Sequence, residues 1–225
     1  MFGERIVTSV LVVDDQRLIR VGLRMLLEST EDLTVVAEAA DGVEAVRLAA
    51  EHGPDLVLMD LRMPAMDGAT ATEHILARDP AVKVLVLTTF DDDEHLYPAL
   101  AAGASGYLLK DSDPDVLLAA IRRTVEGDLL FSPALLRRVV DRAVAAAPRS
   151  PETTDVVRLT EREREVLALV GAGYGNHEIA DRLHLGVSTV KKHIVNLMDK
   201  TGNDNRVRLA VYAVRTLPPE GQLRS

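Results

Sequence analysis

Apolar residues in the first half of the chain fall in short, mostly unbroken runs: "SVLVVD", "LTVVAEA", "PDLVLMD", "VKVLVLT" and "SGYLLK". Strict alternation would mark strands with one wet face; continuous Val, Leu and Ile runs predict strands covered on both faces. Between them lie stretches with apolar residues at helical spacing, such as "QRLIRVGLRMLLES" and "GVEAVRLAAEHG", the latter closed by a glycine. Strand followed by helix, five times over, predicts parallel βαβ units in one sheet with helices on both faces.

After "PDVLLAAIRRTVEGD" the rhythm changes. "SPALLRRVVDRAVAAA" predicts a further helix, with Ser132 as N-cap and Pro133 in the first helical position. Residues 148–155, "PRSPETTD", are rich in Pro, Ser and Thr and predict a linker. From Leu159 onward every segment has helical spacing and none reads as a strand, so a small all-α domain is expected. The predicted division is residues 8–128, a connecting helix and linker over 129–158, and 159–217.

Length and composition support this division. A chain of 225 residues with 47% hydrophobic and 27% charged residues suits two globular domains with real cores. Cysteine is absent, which removes disulfides and thiolate metal sites. The apolar patch from Val10 to Val13 runs straight into Asp14 and Asp15, so neither a signal peptide nor a membrane span is expected, and the cytoplasm is the default compartment. The net charge of −9 is unevenly spread. From Val156 to Leu217 ten basic and seven acidic residues leave +3, and the remainder carries −12, which suggests different partners for the two halves.

The third apolar run ends on Asp60, and a carboxylate at the end of a buried strand needs a partner or a task. On the predicted sheet Asp14 and Asp15 end the first strand, Asp60 the third, Thr88 the fourth and Lys110 the fifth. All lie at one edge, where open parallel sheets bind ligands. Clustered carboxylates repel unless a cation joins them, and oxygen-only ligation favours Mg²⁺. With Asp15 and Asp60 on the metal, one Asp60 oxygen is left to attack phosphorus, giving an aspartyl phosphate. Lys110 and the metal would neutralise the phosphoryl oxygens, and the Thr88 hydroxyl would donate to a third. Singly, each residue has a plainer explanation: a strand-end aspartate as turn or cap residue, Thr88 as a β-branched strand residue, Lys110 as a solvated charge. "DDDE" over 91–94 is most simply a solvated helix N-terminus. The functional reading comes from the convergence of four strand ends on one edge.

The set Asp14-Asp15, Asp60 with "MPAMDG", "LTTF" with Thr88, and "GYLLK" with Lys110 resembles the receiver domain of two-component response regulators, over roughly Ser9 to Asp128. The resemblance implies a flavodoxin-like, five-stranded parallel sheet. It implies that a sensor histidine kinase phosphorylates Asp60, and that Asp14, Asp15, Asp60 and the backbone carbonyl of Arg62 organise Mg²⁺. Thr88 and Tyr107 become a switch pair, the hydroxyl moving toward the phosphate and the ring rotating inward. Many receivers carry proline after the lysine, often with a cis peptide. This chain has Asp111, where a cis bond would cost ~3 kcal/mol.

In the second half, "LTEREREVL" begins with Thr160 as N-cap and Glu163 completing a capping box. Asn176 is expected to cap the short helix "HEIADRL", "HLGVS" to form the turn, Ser188 to cap "TVKKHIVNLMDKT", and Gly202 to stop it. Two short helices joined by a tight turn, the second bearing lysines, make a helix-turn-helix. Thr189, Lys191, Lys192, Val195, Asn196 and Lys200 are the candidate DNA contacts. Ile194 and Leu197 are assigned to the core, and His193 to packing. "LTEREREVL", "GNHEIADRL", "STVKKH" and "RVRLAV" resemble the LuxR-type helix-turn-helix of the NarL/FixJ subfamily, which shares this order of domains. The resemblance implies that Lys191, Lys192 and Val195 face the major groove and that the last helix pairs two DNA-bound domains. Val195 stands where several relatives carry a polar residue; it can meet a thymine methyl but donates no hydrogen bond.

These readings predict a phosphorylation-controlled transcription factor that binds double-stranded DNA as a homodimer, with the first and fifth receiver helices as the dimer faces. It is not expected to act as an enzyme beyond self-phosphotransfer and self-dephosphorylation. A phosphohydrolase with an aspartate nucleophile is the rival from another class, but haloacid-dehalogenase-like phosphatases place a second acid two positions on, where this chain has Arg62. A regulator that never uses Asp60 is the third reading, opposed by the complete acidic set.

Overall fold

The computed structural model describes residues 7–88, 93–128, 130 and 157–217. Asp91 and Asp92 of the acidic run, the helix predicted from Ser132, and the linker over 148–155 lie outside the described residues. The chain divides into two units, residues 1–130 and 131–225, each with its own fold.

In the first unit the elements alternate as the apolar runs require: β1 (Thr8–Val13), α1 (Arg17–Glu28), β2 (Leu33–Ala39), α2 (Gly42–His52), β3 (Leu56–Asp60), α3 (Gly68–Arg78), β4 (Lys83–Thr88), α4 (Asp93–Ala102), β5 (Gly106–Leu109) and α5 (Pro114–Val125). The five strands form one parallel sheet in the order β2-β1-β3-β4-β5, the flavodoxin-like arrangement. Side-chain alternation splits the core in two. Val10, Val12, Leu56, Leu58, Leu85 and Leu87 pack under α1 and α5, while Leu11, Val13, Val57, Met59 and Val84 pack under α2 and α3. Because both faces are covered, β3 is buried at every residue, which explains its unbroken apolar run.

β2 departs from this regularity. Val10 pairs with Val35, but Leu11 pairs with Ala37, so Val36 is an extra residue in the strand, a β-bulge. Leu33 and Val35 pack on the α1/α5 side, whereas Ala37 and Ala39 pack on the other. The bulge therefore turns Glu38, the register partner of Val12, toward α1.

The second unit is all helix among its described residues: α6 (Glu161–Gly171), α7 (Asn176–Leu183), α8 (Val187–Thr201) and α9 (Arg206–Thr216). The Thr160–Glu163 capping box forms as its spacing predicts. Two predicted caps do not. Asn176 is the first residue of α7, with Gly175 as its N-cap, and is buried where its Oδ1 accepts from Arg206 Nη1 at 2.6 Å. α8 begins at Val187 after an extended Gly186, one residue ahead of the expected Ser188 cap. The turn between α7 and α8 takes its left-handed residue at His184 (φ 53°), not at the glycine. Gly202 ends α8 in the left-handed conformation, as expected. Val190, Ile194 and Leu197 of α8 are buried. Among the described residues no helix is long and apolar enough to cross a membrane, and no peptide bond is cis, Lys110–Asp111 included.

Candidate phosphoacceptor pocket and nucleic-acid face

The carboxyl ends of β1, β3 and β5 bring Asp14, Asp60 and Lys110 together. Each follows by the two-residue alternation from a side chain on the α1/α5 face (Val12, Leu58 and Leu108), so the three converge on one side. Lys110 Nζ lies 2.7 Å from Asp14 Oδ2 and 2.8 Å from Asp60 Oδ2. Asp14 is fully buried and Asp60 nearly so, whereas Asp15, one residue out of phase, is exposed. Carboxylate oxygens of Asp14, Asp15 and Asp60 all lie within 4.8 Å of one another. This oxygen-only donor set, part buried and part open to water, fits a hard cation that keeps some of its own waters.

Electrostatics follow from the crowding. Burial raises the Asp60 carboxyl above its ordinary range; the hydrogen bond and charge of Lys110 oppose this, and the Asp14 charge adds to it. For Lys110 burial disfavours the cation, but hydrogen bonds and charge from Asp14 and Asp60 prevail, so its pKa is raised and it stays an ammonium. Asp60 thus sits largely desolvated beside a fixed positive charge.

The loop after Asp60 is clamped by close backbone approaches. A Cβ on Gly68 would fall 2.0 Å from the Asp60 carbonyl oxygen, and the Gly68 amide donates to the Leu61 carbonyl at 3.0 Å. A Cβ on Gly42 would fall 2.5 Å from the Met66 carbonyl oxygen, which the Gly42 amide reaches at 3.2 Å. Between these anchors Ala65 has a left-handed φ of 63°, and the Met66 amide donates to the Pro64 carbonyl at 2.7 Å. Arg62 is exposed; its amide approaches Asp60 Oδ1 at 3.4 Å.

Thr88 and Tyr107 sit on β4 and β5. Val86 pairs with Tyr107 and Thr88 with Leu109, which places both residues on the sheet face shared with Val84, opposite α1 and α5. Thr88 is buried, Tyr107 half-buried, and the Lys110 amide donates to the Thr88 carbonyl at 2.8 Å.

On α8 the exposed residues include Thr189, Lys192, Val195 and Asn196, with Lys191 and His193 half-buried. Val195 is 51% exposed, on a helix whose Val190, Ile194 and Leu197 are buried. Lys200, named among the candidate DNA contacts, has its Nζ 2.6 Å from Glu163 Oε1 and its side chain stays 43% exposed. Glu163 is held at about 2, chiefly by the Lys200 hydrogen bond and then by the Thr160 amide. A second clamp escaped the sequence reading: Arg206 bonds Asn176 Oδ1 and the Tyr174 carbonyl, and Arg182 lies 3.9 Å above the Tyr174 ring.

A parallel α/β domain with a carboxylate pocket at its strand ends, followed by a helix-turn-helix, defines a class: a receiver joined to a DNA-binding output domain. The chain matches the response regulator receiver domain over residues 10–122 and the LuxR family of bacterial regulatory proteins over 157–213. It belongs to the response regulators of two-component systems with a LuxR-type DNA-binding domain. It is 39% identical over 212 residues to the transcriptional regulatory protein LnrK of Bacillus subtilis (strain 168), covering 92% of this chain and 96% of that protein. It is 40% identical over 210 residues to the oxygen regulatory protein NreC of Staphylococcus aureus (strain JH9), covering 92% and 97%. The crystal structure of the response regulator ChrA of a heme-sensing two-component system is similar, with 37% identity, a TM-score of 0.50, and coverage of 93% of this chain and 97% of that one.

Proposed function

We propose that this regulator is switched by phosphorylation of Asp60, taken from a sensor histidine kinase, and that the phosphorylated form binds DNA as a homodimer. The observation that carries the reading is Lys110 Nζ bridging Asp14 and Asp60 at 2.7 and 2.8 Å within a three-carboxylate cluster. Asp60 Oδ2 is held by Lys110, while Oδ1 receives one long amide contact from Arg62. Oδ1 is therefore the oxygen assigned to attack. A new O–P bond forms as the phosphohistidine N–P bond breaks, its electron pair leaving with the imidazole nitrogen. Asp14, Asp15 and Asp60, with the Arg62 carbonyl, would hold Mg²⁺. When bound, the ion supplies countercharge to the carboxylates and to the phosphoryl oxygens. Lys110 stays charged and pairs with the phosphoryl group; Thr88, whose side chain is on the opposite sheet face, would move its hydroxyl around the strand end to donate to it, and Tyr107 would follow on Thr88's face.

Residues 8–128 act as the receiver, 129–158 connect, and 159–217 bind DNA. Thr189, Lys191, Lys192, Val195 and Asn196 of α8 face the major groove. Leu18, Val21 and Met25 form an exposed apolar stripe on α1, 82%, 42% and 70% accessible, and Val116 of α5 is exposed too. This supports α1 and α5 as the receiver dimer face, with α9 pairing the DNA-bound domains. The compartment is the cytoplasm, where kinase and DNA are both within reach.

The test is selection of bound sequences from random DNA, with and without acetyl phosphate and Mg²⁺, for wild type and Asp60→Ala at fixed salt. Phosphorylated wild type should enrich paired half-sites, and Asp60→Ala should not respond. Equal affinity and no response in either protein would favour a phosphorylation-independent regulator.

A further inference from the structure

We infer that Arg20, held in place by Glu38, is a positioning residue for the Asp14–Asp15 pair and sets the affinity of the pocket for its divalent cation. The inference rests on the reading of that pocket as a Mg²⁺ site and goes on to say what fixes its geometry. Arg20 lies in the first turn of α1 with its side chain only 15% exposed. Its Nη1 donates to the Asp14 carbonyl at 2.7 Å and reaches the Asp15 carbonyl at 3.4 Å. Its Nε lies 3.4 Å from Glu38 Oε2, while Glu38 Oε1 is taken by Arg24 Nε at 2.5 Å. Glu38 thus hydrogen-bonds Arg24 and gives Arg20, four residues earlier on the same helix face, an ion-pair contact at 3.4 Å without a hydrogen bond to Nε.

Glu38 is available for this only because of the bulge at Val36. In an unbroken β2, Glu38 would share a face with Thr34 and Val36 and would point away from Val12 and α1. The extra residue turns Glu38 under α1, one residue before Ala39, whose carbonyl accepts from the Asp14 amide at 3.2 Å. Docking of α1 onto β2 alone would be met by the Glu38 pairs. It does not require a guanidinium nitrogen on the carbonyls of the two residues whose carboxylates form the cluster. With its amide on Ala39, its carbonyl on Arg20 and Oδ1 accepting from the Gln16 amide at 2.9 Å, Asp14 is fixed at every backbone polar group. Groups that orient ligands in this way typically change metal affinity when removed.

Mg²⁺ alone is titrated into the full-length chain, followed by the amide shifts of Asp15 and Gln16, for wild type, Arg20→Ala, Arg20→Lys and Glu38→Gln. Metal-free melting is recorded for each. Arg20→Ala should weaken Mg²⁺ binding about ten-fold or more. Arg20→Lys should recover part of that loss, since an ammonium can still reach one carbonyl, and Glu38→Gln should shift affinity the same way by less. A folded Arg20→Ala that binds Mg²⁺ within about two-fold of wild type overturns the inference, however far its melting point falls. If Arg20→Ala does not fold, unchanged affinity in Glu38→Gln overturns it. A wild type that binds no Mg²⁺ sinks the reading of the pocket itself, an outcome distinct from both.

Discussion

Replacing Lys110 by methionine keeps most of the side-chain volume and removes the cation that bridges Asp14 and Asp60. The ammonium lies 2.7 and 2.8 Å from carboxylates that are 0% and 5% exposed. Breaking a buried pair from one side typically costs 3–5 kcal/mol. Repulsion sets a similar scale: two unit charges within 4.8 Å, at an effective dielectric near 20, repel by about 3 kcal/mol. The protein can escape by keeping Asp60 protonated, because burial already raises its pKa from the ordinary 3.8 and removal of Lys110 raises it further. A folded state that holds a proton the unfolded chain has released is favoured as pH falls. The deficit should therefore be greatest at neutral pH and shrink as pH drops toward 3.8. Urea titration read by hydrogen-exchange mass spectrometry over peptides from residues 8–128 isolates this unit from the other. The expected result is a loss of about 3–5 kcal/mol at neutral pH that narrows in acid. A loss below about 1 kcal/mol, or one that does not change with pH, would show that Lys110 is a surface charge and refute the pocket electrostatics.

Other predictions follow from the same geometry. Lys200→Met should release Glu163 from about 2 toward its ordinary 4.5, so the stability it provides above pH 4.5, lost between 4.5 and 2 in wild type, should be reduced at neutral pH; acid titration of α6 amide signals checks this. Gly68→Ala must displace the Asp60 carbonyl or α3, and should destabilise the receiver by about 1–3 kcal/mol and slow phosphorylation, measured by urea melts and acetyl phosphate labelling. His184→Gly relieves a left-handed residue and should stabilise the helix-turn-helix by about 0.5–1 kcal/mol in thermal melts. Lys192→Ala should weaken binding to all DNA sequences and lower the salt slope by about one, whereas Val195→Ala should alter base preference at one position.

Much of the fold could be read from the chain because continuous apolar runs have few solutions other than doubly covered parallel strands, and β3 throughout and β4 from Val84 onward are buried as that pattern demands. The convergence of Asp14, Asp60 and Lys110 followed from topology alone, since parallel strands end at one edge. Residues that act through geometry were not legible. Glu38 reads as a strand-surface charge until the bulge at Val36 reverses its face, and only then does Arg20 acquire its partner. The ion pair of Lys200 was not legible either, because a helical wheel does not show Glu163, thirty-seven residues away, arriving at 2.6 Å. "HLGVS" marks the turn without saying which residue makes it; His184 takes the left-handed conformation, where histidine is enriched among non-glycine residues. Asn176 has the composition of a cap, and its burial against Arg206 comes from the packing of α9, which no local pattern reports.

Asp60 is the proposed phosphoacceptor. Full-length protein incubated with acetyl phosphate and Mg²⁺, then mapped by peptide mass spectrometry after borohydride trapping, should show one modified residue, Asp60, with labelling lost on metal chelation and in Asp60→Ala. Labelling that survives the substitution, or a wild type left unmodified where a known regulator is labelled, would contradict it.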